Sequence, residues 1–157
     1  MPEYRRLDSP EATVEAGRAL AAAMRALEIN QLVIFLSGDL GAGKTTFARG
    51  FLHGWGHVGR VPSPTYTLIE PYELEPAVIY HIDLYRLTDP DETDDLGLAE
   101  LPGPGVVMLV EWPERGGDRL PGADLTVALQ IAGDNQRDIE FRASGAAGKH
   151  LLAQKNI

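Results

Sequence analysis

Leu32-Val33-Ile34-Phe35-Leu36-Ser37-Gly38-Asp39-Leu40-Gly41-Ala42-Gly43-Lys44-Thr45-Thr46 holds the transition on which the reading of this chain turns. Leu32 to Leu36 is an apolar run without polar alternation, which predicts a short strand buried on both faces. Gly38 to Thr45 then satisfies G-x-x-x-x-G-K-[ST] in full. Glycines let successive backbone amides curl around phosphate oxygens, and the helix that follows adds the partial positive charge of its N-terminus. Lys44 has the reach for outer phosphates, and the Thr45 hydroxyl suits magnesium. The alternative is a glycine-rich turn that binds nothing. A chance match in a chain this long is on the order of one in a few hundred before context is counted, and the strand before and helix after make a phosphate loop the better reading.

Upstream, Ser9-Pro10-Glu11 predicts a helix start, because serine caps free amides, proline suits the first turn and an acid favours the dipole. Val14, Leu20, Met24 and Leu27 give that helix an apolar stripe. Downstream, the helix from Thr45 should end near Gly54, and the stretch from Gly54 to Pro64 should be a surface loop. Tyr66–Glu70 and Val78–Tyr85 predict a hairpin turning through Glu73 to Pro76. The acidic segment from Asp89 to Glu100 reads as a short helix plus loop, broken by Pro102-Gly103-Pro104-Gly105. Val106 to Val110 predicts a further buried strand, ending at Glu111. Leu125–Ile131 and Arg137–Arg142 read as a hairpin across Gly133-Asp134-Asn135, with a terminal helix from Gly145 onward. These elements predict an α/β chain with a P-loop NTPase-like three-layer fold, a central mixed β-sheet and helices on both faces. With 157 residues and 44% hydrophobic content, residues 1–157 are expected to form a single P-loop ATPase domain.

The net charge of -9 opposes an unaided grip on a polyanionic nucleic-acid backbone, so any nucleic-acid role is expected to be indirect. Met1 to Asp8 contains no apolar core of a secretory signal, and no apolar run approaches bilayer length, which predicts a cytoplasmic protein without a membrane role. The chain contains no cysteine, which excludes disulfides, thiolate metal sites and a cysteine nucleophile.

Hydrolysis needs a carboxylate near the metal and a group that orients water. Glu111, at the end of an apolar strand, stands where an acidic group is presented at the carboxyl edge beside the phosphate loop. In His81-Ile82-Asp83-Leu84-Tyr85-Arg86, alternation puts His81, Asp83 and Tyr85 on a polar face and Ile82 and Leu84 on a buried one. Asp83 is therefore either a second functional carboxylate or part of an exposed hairpin face, and His81 reads as structural rather than catalytic. Trp112 can stack on a nucleotide or a partner, or simply pack. Ser63-Pro64-Thr65 is a hydroxyl-bearing loop of the kind that senses a terminal phosphate.

Four segments, Gly38 to Gly50, Ser63-Pro64-Thr65-Tyr66-Thr67-Leu68, His81 to Arg86 and Leu109-Val110-Glu111-Trp112-Pro113, together closely resemble the bacterial TsaE (YjeE) family in order and spacing. The resemblance covers nearly the whole chain. It implies an ATPase component of the machinery that makes threonylcarbamoyladenosine in transfer RNA, one that binds the TsaB and TsaD proteins, uses ATP and Mg2+, and resets their assembly between turnovers. It further implies that Lys44 is the phosphate lysine, that Thr45 is a magnesium ligand, and that Glu111 stands at the metal and water. Asp83 corresponds to a functionally important aspartate, and catalytic and metal-binding roles are expected of both Asp83 and Glu111, with Lys44 also counted as catalytic. Asp39, Leu40, Gly41, Ala42, Gly43, Lys44, Thr45 and Thr46 are the expected phosphate-loop contacts. Thr65 and Trp112 belong to the nucleotide surroundings, and the chain near Thr13 and Arg137 helps enclose the nucleotide.

A small-molecule kinase using the same loop would need an acceptor pocket and usually a basic lid, and the segment after Asp89 is acidic instead. A guanine-specific switch lacks its Asn-Lys-x-Asp motif. A nucleotide-gated binding module with incidental hydrolysis is the non-enzymatic alternative.

Overall fold

The computed structural model describes residues 3–64 and 66–154. Seven strands, β1 (Glu3–Leu7), β2 (Leu32–Ser37), β3 (Ile69–Leu74), β4 (Ala77–Asp83), β5 (Val106–Glu111), β6 (Leu125–Ile131) and β7 (Arg137–Ala143), form one mixed sheet in the order β1-β7-β6-β2-β5-β4-β3. β6, β2, β5 and β4 run parallel at the centre, and antiparallel pairs close both edges. Helices α1 (Pro10–Ala26) and α2 (Lys44–Gly54) pack with the apolar side of β2, β5 and β6, and α4 (Ala146–Leu152) adds Leu151 and Leu152 to the same cluster. The opposite face is covered by α3 (Glu92–Leu96), a 3₁₀ turn at Leu98–Glu100 and the segment carrying Leu84 and Leu87. The mixed sheet with helices on both faces is as the sequence predicts.

The central strands form where the sequence offers unbroken apolar runs. Leu32, Ile34 and Leu36 point to the α1–α2 side, while Val33 and Phe35 point to the other. A strand apolar on both faces has no favourable position except between two layers. Asp124 closes the entry to β2, its Oδ2 accepting from the Val33 amide at 2.8 Å. The start of α1 is also as predicted: Ser9 Oγ accepts from the Ala12 amide at 3.1 Å, with Pro10 in the first turn.

The apolar stripe of α1 differs from expectation. Leu20 and Met24 are buried, but Val14 and Leu27 are only half-buried, and Ala16, Gly17 and Ala21 take their place. The cause is backbone contact between α1 and α2. A Cβ on Gly17 would fall on the Phe47 carbonyl oxygen, and one on Gly50 would fall on the Val14 carbonyl oxygen, both far inside van der Waals distance. Small residues let the helices approach this closely, so shape rather than side-chain bulk makes the interface.

Two other expectations are corrected, and one strand was not foreseen. β3 runs from Ile69 to Leu74 and not from Tyr66 to Glu70; Leu68 adopts a positive φ of 68° and its amide bonds to the Pro64 carbonyl, which keeps Tyr66 to Leu68 in a turn. Pro71 is tolerated within β3 because this is an edge strand that need not donate on its outer side. The Gly54–Pro64 segment is not all surface loop: Trp55 is buried, stacks on Phe51 and donates its indole N–H to the Leu74 carbonyl at 2.8 Å. β1 has no counterpart in the sequence reading, since its arginines hide the pattern of an edge strand whose one buried apolar contact is Leu7.

The α1–α2 contact gives a test of packing. Gly50→Ala should lower stability by about 1–3 kcal/mol through overpacking, despite the ~1 kcal/mol that alanine gains over glycine in a helix. Gly122→Ala, where an added Cβ meets nothing within 4 Å, should leave the urea midpoint unchanged.

Candidate functional site

The parallel register sets the site. Leu36 on β2 is paired with Glu111 on β5, and Glu111 with Asp83 on β4. All three positions lie at the carboxyl edge of the sheet, where β2 passes into the glycine-rich loop. Ile79, His81 and Asp83, like Val107, Leu109 and Glu111, alternate onto the sheet face that α2 covers. Along these rows the residues are apolar until the final turn toward the loop, where His81, Asp83 and Glu111 take over. The three are 0%, 4% and 2% exposed, so the polar face of β4 is an interior surface and not an exposed hairpin face.

Thr45, in the first turn of α2, meets this row. Its Oγ1 donates to Glu111, with Oε1 at 3.0 Å and Oε2 at 3.1 Å. The Glu111 Oε2 is also 2.6 Å from His81 Nε2. Asp83 Oδ1 accepts from the Tyr85 amide at 2.9 Å, and its Oδ2 accepts from Ser63 Oγ at 3.5 Å. The two carboxylates are thus neighbours held by different partners: Glu111 by α2 and β4, Asp83 by the segments on either side of the hairpin.

Gly41 and Gly43 have φ of 82° and 103°, conformations that L side chains resist. Lys44 donates to the carbonyls of Gly38 and Asp39, and its Nζ lies 3.9 Å from the ring centroid of Trp112. Burial pushes the Lys44 ammonium below its ordinary range, against the opposing pull of Glu111, Glu114, Asp83 and Asp39. Trp112 takes a positive φ of 57° just after β5 and stacks on Tyr85 at 4.9 Å.

A cavity of about 640 Å³ opens between these parts. Its walls include the expected residues Leu40 through Thr46, Asp83, Glu111 and Trp112, together with Ser63, Tyr85 and Arg86. Three expected residues sit outside that lining. Asp39 turns toward a separate hollow beside β6 and β7. Thr13 is buried behind the loop, its methyl 3.5 Å from where a Cβ on Gly43 would stand. Arg137 braces the loop from the β6–β7 turn, donating through Nη2 to the Gly41 carbonyl at 3.1 Å and through Nη1 to the carbonyls of Gly133 and Gln136. Thr65 lies outside the described residues.

His81 and Tyr85 gain roles that residue type alone did not assign. The signal for both was present in the alternation from His81 to Tyr85, which placed them on the same face as Asp83. What the alternation lacked was the knowledge that this face looks onto Thr45.

Among the described residues no three His, Asp or Glu side chains are grouped to hold a metal by themselves. The donor set that does converge, one hydroxyl and one carboxylate beside a phosphate loop, fits magnesium, which keeps waters and takes phosphate oxygens as its remaining ligands.

Comparison with known proteins agrees with the resemblance. Residues 7–139 match the family described as "TsaE: Threonylcarbamoyl adenosine biosynthesis protein TsaE". The tRNA threonylcarbamoyladenosine biosynthesis protein TsaE of Haemophilus influenzae is 45% identical over 122 residues, which cover 78% of this chain and 77% of that protein. The protein of the same name from Bacillus subtilis is 45% identical over 113 residues, covering 72% and 70%. The crystal structure of Bacillus subtilis YdiB superposes with a TM-score of 0.74 at 34% identity, covering 98% of this chain and 93% of that one. No helix among the described residues is long and apolar enough to cross a membrane.

Burial of Lys44 carries a stability cost that can be read out. With its folded-state pKa lowered, the cost is present in full below that pKa and is removed as pH rises through it toward the ordinary value of 10.5. Lys44→Met should therefore raise the unfolding temperature of the ligand-free protein at neutral pH. The gain should shrink as the pH is raised toward that value, which thermal melts across the alkaline range will show.

Proposed function

The chain belongs to the TsaE family, and on that premise we propose that it is a magnesium-dependent ATPase serving threonylcarbamoyladenosine modification of transfer RNA, acting on the TsaB–TsaD pair rather than on the RNA itself. The observation that carries the proposal is the meeting of Thr45 and Glu111 at 3.0 Å in the wall of the phosphate-loop cavity. A loop alone accounts for phosphate binding; a hydroxyl and a carboxylate together at its helix end account for a metal-dependent reaction. The net charge of -9 favours a protein partner over a direct nucleic-acid contact.

In this reading the amides from Gly41 to Thr46 bind the phosphate chain, and Lys44 turns its ammonium from loop carbonyls to the outer phosphate oxygens. Thr45 and Glu111 hold magnesium, which when bound neutralises charge across the phosphates. Asp83, fixed by the Tyr85 amide and by Ser63, accepts a hydrogen bond from the attacking water and aligns it with the terminal phosphorus. A P–O bond forms to that water as the bridging P–O bond breaks, releasing ADP, phosphate and a proton. Ser63 and Trp112 border the same cavity, so the nucleotide state is felt by two surface segments that can contact the partners. ATP binding favours one mode of contact and hydrolysis releases it, which resets the assembly.

In the reconstituted TsaB–TsaD complex with transfer RNA, Lys44→Ala and Glu111→Ala should each reduce ATP turnover on the order of 100-fold. Unchanged turnover would remove the site assignment. Modified transfer RNA per complex should exceed one when the wild-type chain is present and stay near one without it. Equal yields in the two cases would sink the resetting role while leaving ATP hydrolysis standing.

A further inference from the structure

His81 is not used by the reaction as written, yet it is the most completely buried polar side chain at the site, at 0% exposure. It stands on β4 between β3 and β5, where its ring has no path to solvent. Its Nε2 lies 2.6 Å from Glu111 Oε2, and a carboxylate oxygen accepts, so Nε2 carries the hydrogen. Its Nδ1 has no hydrogen-bond partner among the described residues. The contact with Glu111 is therefore the interaction that fixes the ring's direction. A buried ring nitrogen without a partner is costly, and a leucine would fill this place in the sheet without that cost.

We propose that His81 is a positioning residue for the metal end of the site: by donating to Glu111 it fixes the carboxylate so that the Thr45 hydroxyl donates its hydrogen to Glu111 and keeps its lone pairs for the cation. This rests on the reading that Thr45 and Glu111 serve magnesium in a nucleotide site. The geometry has the form of an orienting chain. His81 donates to one oxygen of Glu111, and Thr45 approaches both oxygens at 3.0 and 3.1 Å. Without the His81 contact the carboxylate can rotate about its last bond. Thr45 then loses a fixed acceptor, and its hydroxyl hydrogen competes with the cation for the same direction. Partners that orient metal ligands in this way are commonly worth 10–100-fold in metal affinity.

The test uses the full chain and a fluorescent ADP analogue, with binding followed as magnesium is titrated and again in EDTA. Two amide variants separate donation from bulk, since the glutamine NH2 coincides with the position of Nε2 and the asparagine NH2 with that of Nδ1. His81→Asn should raise the magnesium concentration for half-maximal binding about tenfold, with affinity in EDTA unchanged, and His81→Gln should recover most of the loss. In a Glu111→Gln background, His81→Asn should add no further shift. If both variants lower the melting temperature but leave the magnesium midpoint at the wild-type value, or if the two substitutions add independently, the positioning role is wrong and His81 merely fills the sheet. A wild-type protein that binds the analogue without any response to magnesium would overturn this proposal together with the metal assignment beneath it. A normal wild-type response with the variants' magnesium midpoints unshifted would overturn this proposal alone.

Discussion

Parallel hydrogen bonding of β2 to β5, and of β5 to β4, decides where every reactive group of this protein can stand. Once Leu36 is level with Glu111 and Glu111 with Asp83, the two carboxylates are forced to the edge at which β2 gives way to the loop. The pairing is itself imposed by apolar content, because strands as uniformly hydrophobic as Leu32–Leu36 and Val106–Val110 require cover on both faces. The loop, the Thr45 hydroxyl at its end and the carboxylates opposite are thus consequences of one register. A slip by one residue would send Glu111 to the other side of the sheet, away from Thr45.

The same arrangement obliges the protein to bury charge. Glu111, Asp83 and Lys44 are all nearly inaccessible, and isolated charges in such positions are strongly disfavoured. Each is met by local donors or acceptors: hydroxyl and imidazole for Glu111, an amide and a serine for Asp83, two carbonyls and an indole face for Lys44. The lowered Lys44 pKa shows that compensation there is incomplete. For the proposed function this is a requirement, since a site that is to exchange its internal partners for a polyphosphate has to stop short of satisfying itself fully, at some loss of stability.

How far the fold was legible from sequence follows from where its determinants are local. The doubly buried strands, the phosphate loop and the Ser9 cap each depend on a few consecutive residues, and all three were readable. Glu111 was readable as well, being the first polar residue after an apolar run. Other features depend on partners distant in the chain. β1 is a charged edge strand whose pairing with β7 is invisible to periodicity, and the shift of β3 comes from the positive φ at Leu68, a residue type that gives no hint of it. Arg137 and Thr13 acquired a place beside the loop through the resemblance, and the structure puts them behind it, as braces at Gly41 and Gly43. His81 was read as structural rather than catalytic, and its contact with Glu111 was out of reach of that reading because the partner lies on another strand.

The contact between α1 and α2 has a mechanical consequence. Where the backbones of the two helices touch at Gly17 and Gly50, no side chain stands between them to change rotamer, and this close contact opposes sliding of one helix past the other. Thr13 lies on α1 and Lys44 and Thr45 lie in the first turn of α2, so a displacement of the loop's helix end would have to carry α1 with it. The α1–α2 pair is thus a close-packed base beneath the glycine-rich loop, and a change of shape at Gly17 or Gly50 would reach the loop without touching any residue that lines the cavity.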